Sequence, residues 1–264
     1  MKSHMSYSAE TETMRIWSFV QQKGGSGKST ICTNLGVVGE EHDETVLIVD
    51  LDPQHSATLW HSARGTNKPT VIDAIPEKRT NIVTSAPNLG VTLCLIDSPS
   101  KLDDIALAAI RAAHMVVCPT LPDVFNLGSL QDTVQLLEAA GKLPVTVGVI
   151  NNVDKAGEEV RIGEATVVME KFEMAVCPQV IRHRAEYQTA AEKGKSVTEL
   201  GTKGKAAADE IRALWDFLDG RASAKRPARR ADVARRIAHE IKNPLTPIQL
   251  SAERKPKRKA RELK

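Results

Sequence analysis

The stretch that decides the fold is Lys23-Gly24-Gly25-Ser26-Gly27-Lys28-Ser29-Thr30. Ile16–Val20 before it is apolar and β-prone, and Ile31–Val38 after it has its apolar residues at helical spacing. A strand, a glycine-rich turn and a helix in this order are typical of a phosphate-binding loop. Glycines let successive N–H groups turn toward an anion, and the helix N-terminus adds partial positive charge. We therefore expect Lys28 to reach the β- and γ-phosphates of a nucleotide and Ser29 to offer its hydroxyl to Mg²⁺.

The loop departs from the common GxxxxGK[ST] pattern at one position. Gln22 stands where that pattern has glycine, and a second lysine, Lys23, opens a KGGxGK[ST] run. This run resembles the deviant Walker A loop of the ParA/MinD superfamily of ATPases. The resemblance implies that Lys23 crosses a homodimer interface to the partner's ATP. It also implies that the whole loop binds the nucleotide, namely Lys23, Gly24, Gly25, Ser26, Gly27, Lys28, Ser29 and Thr30. The alternative, a glycine-rich turn with incidental lysines, is disfavoured by the intact GK[ST] between strand and helix.

The composition suits a parallel α/β domain. At 264 residues the chain can hold one large domain and an appendage, and only 3% of its residues are aromatic, so Val, Ile, Leu and Ala must build the core. The 4 cysteines are widely separated, which favours buried thiols in a reducing cytosol over zinc or disulfides. No apolar run approaches a membrane span and no signal-peptide core precedes the loop, so we expect a cytoplasmic protein without stable membrane insertion.

Two further segments with acids at strand ends strengthen the resemblance. Asp50-Leu51-Asp52-Pro53-Gln54 resembles the DxDPQ segment of the ParA family. Asp97-Ser98-Pro99-Ser100 resembles the family's Walker B end, usually Asp-Thr/Cys-Pro-Pro, with a loose match at Ser98 and Ser100. The resemblance implies that Asp52 positions the attacking water, that Asp50 helps to hold the Mg²⁺ shell and that Asp97 binds Mg²⁺ through water. The alternative for the first segment is a plain strand followed by an Asp-Pro turn.

Alternating strands and helices predict an α/β fold with a mostly parallel, doubly wound sheet and helices on both faces, a P-loop NTPase architecture. We predict strands over 15–21, 45–50, 91–97, 114–119, 144–150 and 174–178, and helices over 29–40, 55–64, 102–113, 126–140, 158–172 and 204–218. Residues 65–90 are expected to be a loop with a short helix near 71–75. Asn151 and Asn152 follow a strand where the family often has an adenine-contacting Asn, although either could cap a turn.

The resemblance covers about residues 14–219 and extends to a basic region near the end of this span. Ile181–Tyr187 and Gly194–Glu199 are similar to the R-x-A-Y…G-x-S-V-x-E stretch of short ParA proteins. The basic residues expected to contact DNA are Arg182, Arg184, Lys195, Lys203 and Lys205. Nonspecific DNA binding needs only such phosphate contacts, whereas the alternative is a solvated, lysine-bearing helix surface. Since about 13 residues precede the first strand, we expect no N-terminal helix-turn-helix and no operator binding by that route.

By resemblance, the chain is an ATPase that dimerises on ATP and Mg²⁺, binds nucleoid DNA nonspecifically and is stimulated by a ParB-like or other adaptor protein. Such a cycle serves plasmid or chromosome partition, or the positioning of another cargo. A first alternative is a MinD-like ATPase that cycles on membranes. A signalling adaptor and a metabolic P-loop enzyme are further alternatives, and no acceptor site for the latter is evident.

The C-terminal part of the chain has a different composition. Residues 221–264 carry 15 basic and 4 acidic residues, a net charge of +11, whereas the rest carries 21 and 29, a net charge of −8. We divide the chain into a flexible segment at 1–13, interpreted as partly a tag remnant, the ATPase domain at 14–219, a basic linker at 220–231 and a final segment at 232–264.

The final segment resembles the H-box of NtrY-type sensor histidine kinases over Asp232–Arg254, which implies that His239 is a phosphoacceptor. No second dimerisation helix or kinase lobe follows it, so we expect no complete histidine kinase. Three interpretations remain, in this order: a fused or frame-shifted fragment, a basic arm that strengthens DNA binding, and a phosphoacceptor used in trans. Pro244 and Pro247 disfavour a membrane-anchoring helix.

Overall fold

The computed structural model describes residues 14–73, 86–101, 104–154 and 158–224. Its centre is a seven-stranded sheet in which every paired strand runs parallel to its neighbour, in the order β3-β2-β4-β1-β5-β6-β7. The strands are β1 (Arg15–Phe19), β2 (Val46–Asp50), β3 (Thr70–Asp73), β4 (Leu93–Asp97), β5 (Met115–Thr120), β6 (Thr146–Ile150) and β7 (Ala175–Val176).

The described chain has seven α-helices, of which the first five lie between strands and the last two follow β7. They are α1 (Lys28–Glu41), α2 (Ser56–Ser62), α3 (Asp104–Ala112), α4 (Val124–Ala139), α5 (Glu158–Lys171), α6 (Ala185–Glu192) and α7 (Lys205–Ala224). Short 3₁₀ segments cover Ala86–Leu89, Leu143–Val145 and Val197–Gly204.

The sheet is covered on both faces because side chains alternate along each strand. Trp17 and Phe19 of β1 join the cluster that includes Leu35 of α1 and Leu214 of α7. Ile16, one position along, joins a second cluster on the opposite face. A third cluster packs α4 and α5 against β5 and β6. These positions are nearly all aliphatic, as the low aromatic content requires.

The strand register determines where the polar residues of the strand ends lie. Phe19 of β1 is paired with Asp97 of β4, and Asp97 is paired in turn with Asp50 of β2. The glycine-rich loop leaves β1 directly after this level. The two acids and the loop therefore share the carboxyl edge of the sheet, which is the usual ligand side of a doubly wound fold.

The predicted fold class is confirmed, with one element corrected. The short helix expected near 71–75 is wrong, since Thr70–Asp73 form strand β3 and pair with β2 from Leu47 to Asp50. Two β-branched residues, Val71 and Ile72, favour a strand, but a four-residue edge strand is too short for its periodicity to be read. The last helix, α7, runs to Ala224, six residues beyond the predicted end at 218.

Among the described residues, none of the helices combines the length and the apolar character needed to cross a bilayer.

The burial of the cysteines gives a test of the packing. All four are free and buried, and burial raises the pKa of Cys94 and Cys118 to about 12 and that of Cys177 to about 11. Because the thiolate is the reactive form, we expect no thiol to react with Ellman's reagent in minutes at pH 8 in the native protein, and all four to react in guanidinium. Rapid reaction of a native thiol would contradict the packing of its strand or helix.

Candidate nucleotide-binding site

The loop between β1 and α1 depends on two glycines in the left-handed region. Gly25 has φ 77° and Gly27 has φ 94°, conformations that residues with a side chain rarely adopt. Gly27 immediately precedes α1, and its carbonyl accepts a hydrogen bond from Ile31 N at 2.9 Å. The N–H groups of the loop and the positive N-terminal end of α1 therefore lie next to each other, an arrangement that can bind a phosphate group.

Two buried side-chain amides hold this loop in place. Gln21, fully buried, accepts a hydrogen bond from Gln22 N at 2.8 Å and one from Thr133 Oγ1 at 2.9 Å, and it donates to Thr120 Oγ1 at 3.1 Å. Asn151 Nδ2 donates to the carbonyl of Ser26 at 2.7 Å. A Cβ added to Gly27 would lie 2.1 Å from that same nitrogen. Sequence reasoning missed the support from Gln21 and Thr133, since nothing in the pattern links these positions.

Lys28 is the first residue of α1 and is buried. Its side chain donates from Nζ to Ser100 Oγ at 2.9 Å. Burial lowers the pKa of Lys28, and the negative charges of Asp97 and Asp52 oppose that shift. Lys23, at the loop's beginning, is half-buried, and Gly24 and Gly25 are exposed. The predicted loop residues are thus brought together at one site, with Ser29 and Thr30 half-buried in the first turn of α1.

Asp97 is the most unusual acid of the site. It is fully buried, and among the described residues neither carboxylate oxygen meets a hydrogen-bond partner. The pKa of Asp97 is raised to about 7: burial is the largest cause and the charges of Asp50 and Asp52 act in the same direction, whereas the nearby Ser29 hydroxyl and Lys28 oppose the shift. Buried carboxylates are normally paired with a donor or a cation. These two orphaned oxygens beside a serine hydroxyl fit a Mg²⁺ ion, which prefers oxygen ligands and few carboxylates.

Asp50 has a different environment from Asp97. Its carboxylate accepts hydrogen bonds from Asp52 N at 3.2 Å, from Thr58 N at 2.9 Å and from Thr58 Oγ1 at 3.0 Å. Asp50 therefore holds the loop that carries Asp52 and caps the first turn of α2. Asp52 is half-exposed, and its Oδ1 accepts from Gln54 N at 2.9 Å.

The two asparagines proposed for the base occupy unlike positions. Asn151 is buried beneath the glycine loop, as described above. Asn152 is exposed, has φ 57°, and its Oδ1 lies 2.8 Å from His183 Nδ1. The geometry gives Asn151 a contact with the phosphate-binding loop and gives Asn152 a contact with the segment after β7.

The basic residues expected to contact DNA separate into two groups. Arg182 contacts Glu158 and Glu210, and Arg184 donates to Glu210 at 2.8 Å. Glu210 is only 5% exposed, so both arginines neutralise a buried acid. Lys195, Lys203 and Lys205 are exposed, and Lys205 pairs with Asp209 one helical turn away at 2.9 Å.

The exposed lysines lie on a segment, Lys193–Lys205, that contacts α1 and the region just after α2; we call it the basic segment. Its Ser196 Oγ and Val197 N both donate to Asn34 Oδ1 of α1 at 2.9 Å. Arg64, just after α2, donates to both carboxylate oxygens of Glu199 and to the Gly194 carbonyl. Although burial raises the pKa of Glu199, the bonds from Arg64 and from Ser196 N outweigh it, and the net shift is downward.

Comparison with known proteins relates these features to a family. The profile of the CobQ/CobB/MinD/ParA nucleotide binding domain matches residues 17–197. The maintenance of carboxysome distribution protein A of Halothiobacillus neapolitanus is 29% identical over 201 residues, 72% of this chain and 89% of that protein. The chromosome-partitioning ATPase Soj of Thermus thermophilus is 26% identical over 156 residues, 47% of this chain and 62% of that protein.

A solved structure has the same fold. The septum site-determining protein MinD of Pyrococcus horikoshii, complexed with Mg-ADP, superimposes with a TM-score of 0.64 at 21% identity, covering 81% of this chain and 99% of that one.

A further relative is similar to part of this chain. The nitrogen regulation protein NtrY of Azorhizobium caulinodans is 39% identical over 112 residues, which are 42% of this chain but 12% of that protein. The H-box-like stretch and His239 lie outside the described residues, so the phosphoacceptor assignment stays a prediction.

The two left-handed glycines give a matched test of the loop. Gly27→Ala incurs backbone strain and a clash with Asn151, whereas Gly25→Ala incurs the strain alone because no neighbouring atom of the described residues lies within 4 Å of the added Cβ. We expect G25A to lose about 1 kcal/mol of unfolding free energy and G27A about 3 kcal/mol, measured by urea denaturation. Equal losses would contradict the contact between Asn151 and the loop.

Proposed function

The chain belongs to the CobQ/CobB/MinD/ParA nucleotide binding domain family, and from this premise we propose that it is a Mg²⁺-dependent ATPase that dimerises on ATP and binds DNA nonspecifically. Its role would be the partition of DNA or the positioning of another cargo. The names of two relatives, one for carboxysome distribution and one for chromosome partitioning, support this class of role.

One observation supports the proposal most strongly. The glycine-rich loop before α1 lies at the same carboxyl edge of the sheet as the carboxylate of Asp97, which is unpaired among the described residues. The loop supplies N–H donors and Lys28 for phosphate oxygens. Asp97 and the Ser29 hydroxyl would hold Mg²⁺, which supplies charge neutralisation at the phosphates. Asp50 contributes by fixing the loop 50–58 through Thr58.

Asp52 is proposed to orient the water that attacks the γ-phosphate. Its position on the loop after β2, half-exposed and two residues from Asp50, supports this role. Lys23 is proposed to reach the nucleotide of a second subunit, which makes dimerisation a condition for the complete site. Asn151 then acts through the loop that it supports.

DNA is proposed to bind the exposed lysines of the basic segment. Lys195, Lys203 and Lys205 can contact phosphates, whereas the pairing of Arg182 and Arg184 with Glu210 favours a structural role for these two arginines. A stimulating adaptor protein would act on the ATP-bound dimer.

The partial match to NtrY supports a second candidate function, in which His239 is a phosphoacceptor used in trans. Phosphorylation of His239 by a separate kinase would test it.

Asp52→Asn tests the proposed hydrolytic step. Asparagine keeps an oxygen for the hydrogen bond from Gln54 N and removes only the charge. We expect ATP affinity and ATP-dependent dimerisation to stay within threefold of the parent, and phosphate release to fall about 100-fold or more, measured by a coupled phosphate assay and by light scattering. Unchanged turnover would remove Asp52 from the mechanism.

DNA binding should depend on nucleotide and on the basic segment. We expect the full chain and a chain ending at Ala224 to bind a nonspecific duplex with ATP but not with ADP, with an affinity that falls steeply between about 50 and 200 mM salt, measured by fluorescence anisotropy. The double substitution Lys195→Ala and Lys203→Ala should weaken binding about tenfold or more, whereas the exposed control Lys171→Ala should not.

Binding that ignores nucleotide and disappears in the shortened chain would contradict this proposal. It would assign the DNA contacts to residues 225–264 instead, and ATP-dependent binding to vesicles without DNA binding would favour a membrane-cycling ATPase.

A further inference from the structure

Ser100 contacts the centre of the candidate site at the position where the chain departs from its family's pattern. The ParA family usually has a second proline here, and proline has no hydroxyl. In this protein Ser100 Oγ accepts a hydrogen bond from Lys28 Nζ at 2.9 Å, joining the segment after β4 to the first residue of α1. A Cβ added to Gly24 would lie 3.9 Å from the same oxygen. The hydroxyl therefore lies next to the glycine-rich loop.

The hydrogen-bonding capacity of this pair is only partly used. An ammonium group has three N–H donors and a serine hydroxyl has one O–H donor. Lys28 gives one of its donors to Ser100, and because Ser100 is the acceptor in that bond, its own proton points elsewhere. Within the described part of the chain no acceptor meets this proton. The remaining donors of Lys28 and the Ser100 hydroxyl are therefore on atoms that lie 2.9 Å apart, so that one phosphate group could accept from both.

We propose that Ser100 is a phosphate-contacting residue, whose hydroxyl donates to an oxygen of the nucleotide phosphates that Lys28 binds while its oxygen keeps the Lys28 ammonium aligned. The inference rests on the nucleotide binding proposed above. The Ser100 hydroxyl would add one uncharged hydrogen-bond donor beside the charged Lys28. A proline at position 100 has no hydroxyl and could not make this contact.

The neighbouring serine does not fill the same role. Ser98 is fully buried, and its Oγ lies 3.1 Å from Ser18 Oγ, beneath the strand end. Ser100 is half-buried and lies beyond it, on the loop side. Of the two loose matches to the family's Walker B end, the structure therefore assigns Ser98 to the packing of β4 and Ser100 to the site.

The experiment uses the full chain with Ser100→Ala, Ser100→Pro and Ser100→Thr. Dissociation constants for MgATP are measured by calorimetry, and tripolyphosphate is measured as a competitor that lacks the nucleoside. We expect S100A and S100P to weaken both ligands about tenfold, because a hydrogen bond to a charged oxygen is lost. S100T keeps the hydroxyl and should stay within threefold of the parent. The circular dichroism spectrum of S100A without nucleotide should match that of the parent, which shows that the variant folds.

Two controls separate this inference from the proposed function. Ser62→Ala removes an exposed hydroxyl that donates to the Thr58 carbonyl of its own helix, and it should leave both affinities unchanged. Lys28→Ala should abolish ATP binding. If the parent chain binds no ATP, or if K28A binds it normally, the proposed function fails.

Other outcomes would overturn the role of Ser100 alone. Parent affinity or tighter binding in S100A would mean that the hydroxyl only restrains Lys28 before the nucleotide arrives. A loss for ATP without a matching loss for tripolyphosphate, or a loss in S100T as large as in S100A, would mean that the hydroxyl does not contact phosphate.

Discussion

The conformation of the loop between β1 and α1 depends on the buried amides of Gln21 and Asn151. Each replaces contacts that water would otherwise make with the loop backbone, and an unpaired backbone carbonyl or N–H in that position would cost about 1–3 kcal/mol. Asn151 bonds the Ser26 carbonyl and leaves room only for a glycine at position 27. With the loop fixed, the direction of α1 and the position of Lys28 follow. Side chains from the end of β6 and from α4 thus contribute to the conformation of the loop, through Asn151 and through Thr133, which bonds Gln21.

The parallel register then determines the chemistry around this loop. It aligns the ends of β2 and β4, so that Asp50 and Asp97 are adjacent, yet their oxygens are used differently. The carboxylate oxygens of Asp50 accept hydrogen bonds from Asp52 and Thr58, in the loop that leads to α2 and in its first turn. Asp97 keeps its acceptors in a buried place, which costs stability and raises its pKa to about 7. A buried carboxylate without partners is unfavourable by itself, and a cation between it and phosphate would relieve that cost.

Much of this could be predicted from the sequence because it is encoded locally. The glycine-rich loop, the buried strands and the terminal acids are contiguous patterns, and the structure places them as expected. β3 could not be recognised, since four residues become a strand only by pairing with β2. Arg182 and Arg184 could not be told from the exposed lysines, because Glu210, their partner, is 26 or more residues away. Likewise Asn151 was singled out by its place after β6, but its contact with Ser26 spans 125 residues.

A continuous chain of contacts connects the acidic loop with the basic segment. Asp50 caps α2 through Thr58; Trp60 of α2 donates from Nε1 to the Lys195 carbonyl at 3.0 Å, and Arg64 bonds Glu199 and Gly194. Gly194 packs so closely on Arg64 that a Cβ added to Gly194 would lie 2.4 Å from the backbone nitrogen of Arg64. Because closely packed elements move as units, a displacement of α2 must carry the basic segment with it or break these bonds. The loop that carries Asp50 and Asp52 and the exposed lysines of the basic segment therefore share one packed support, which connects the proposed nucleotide site with the proposed DNA-binding surface.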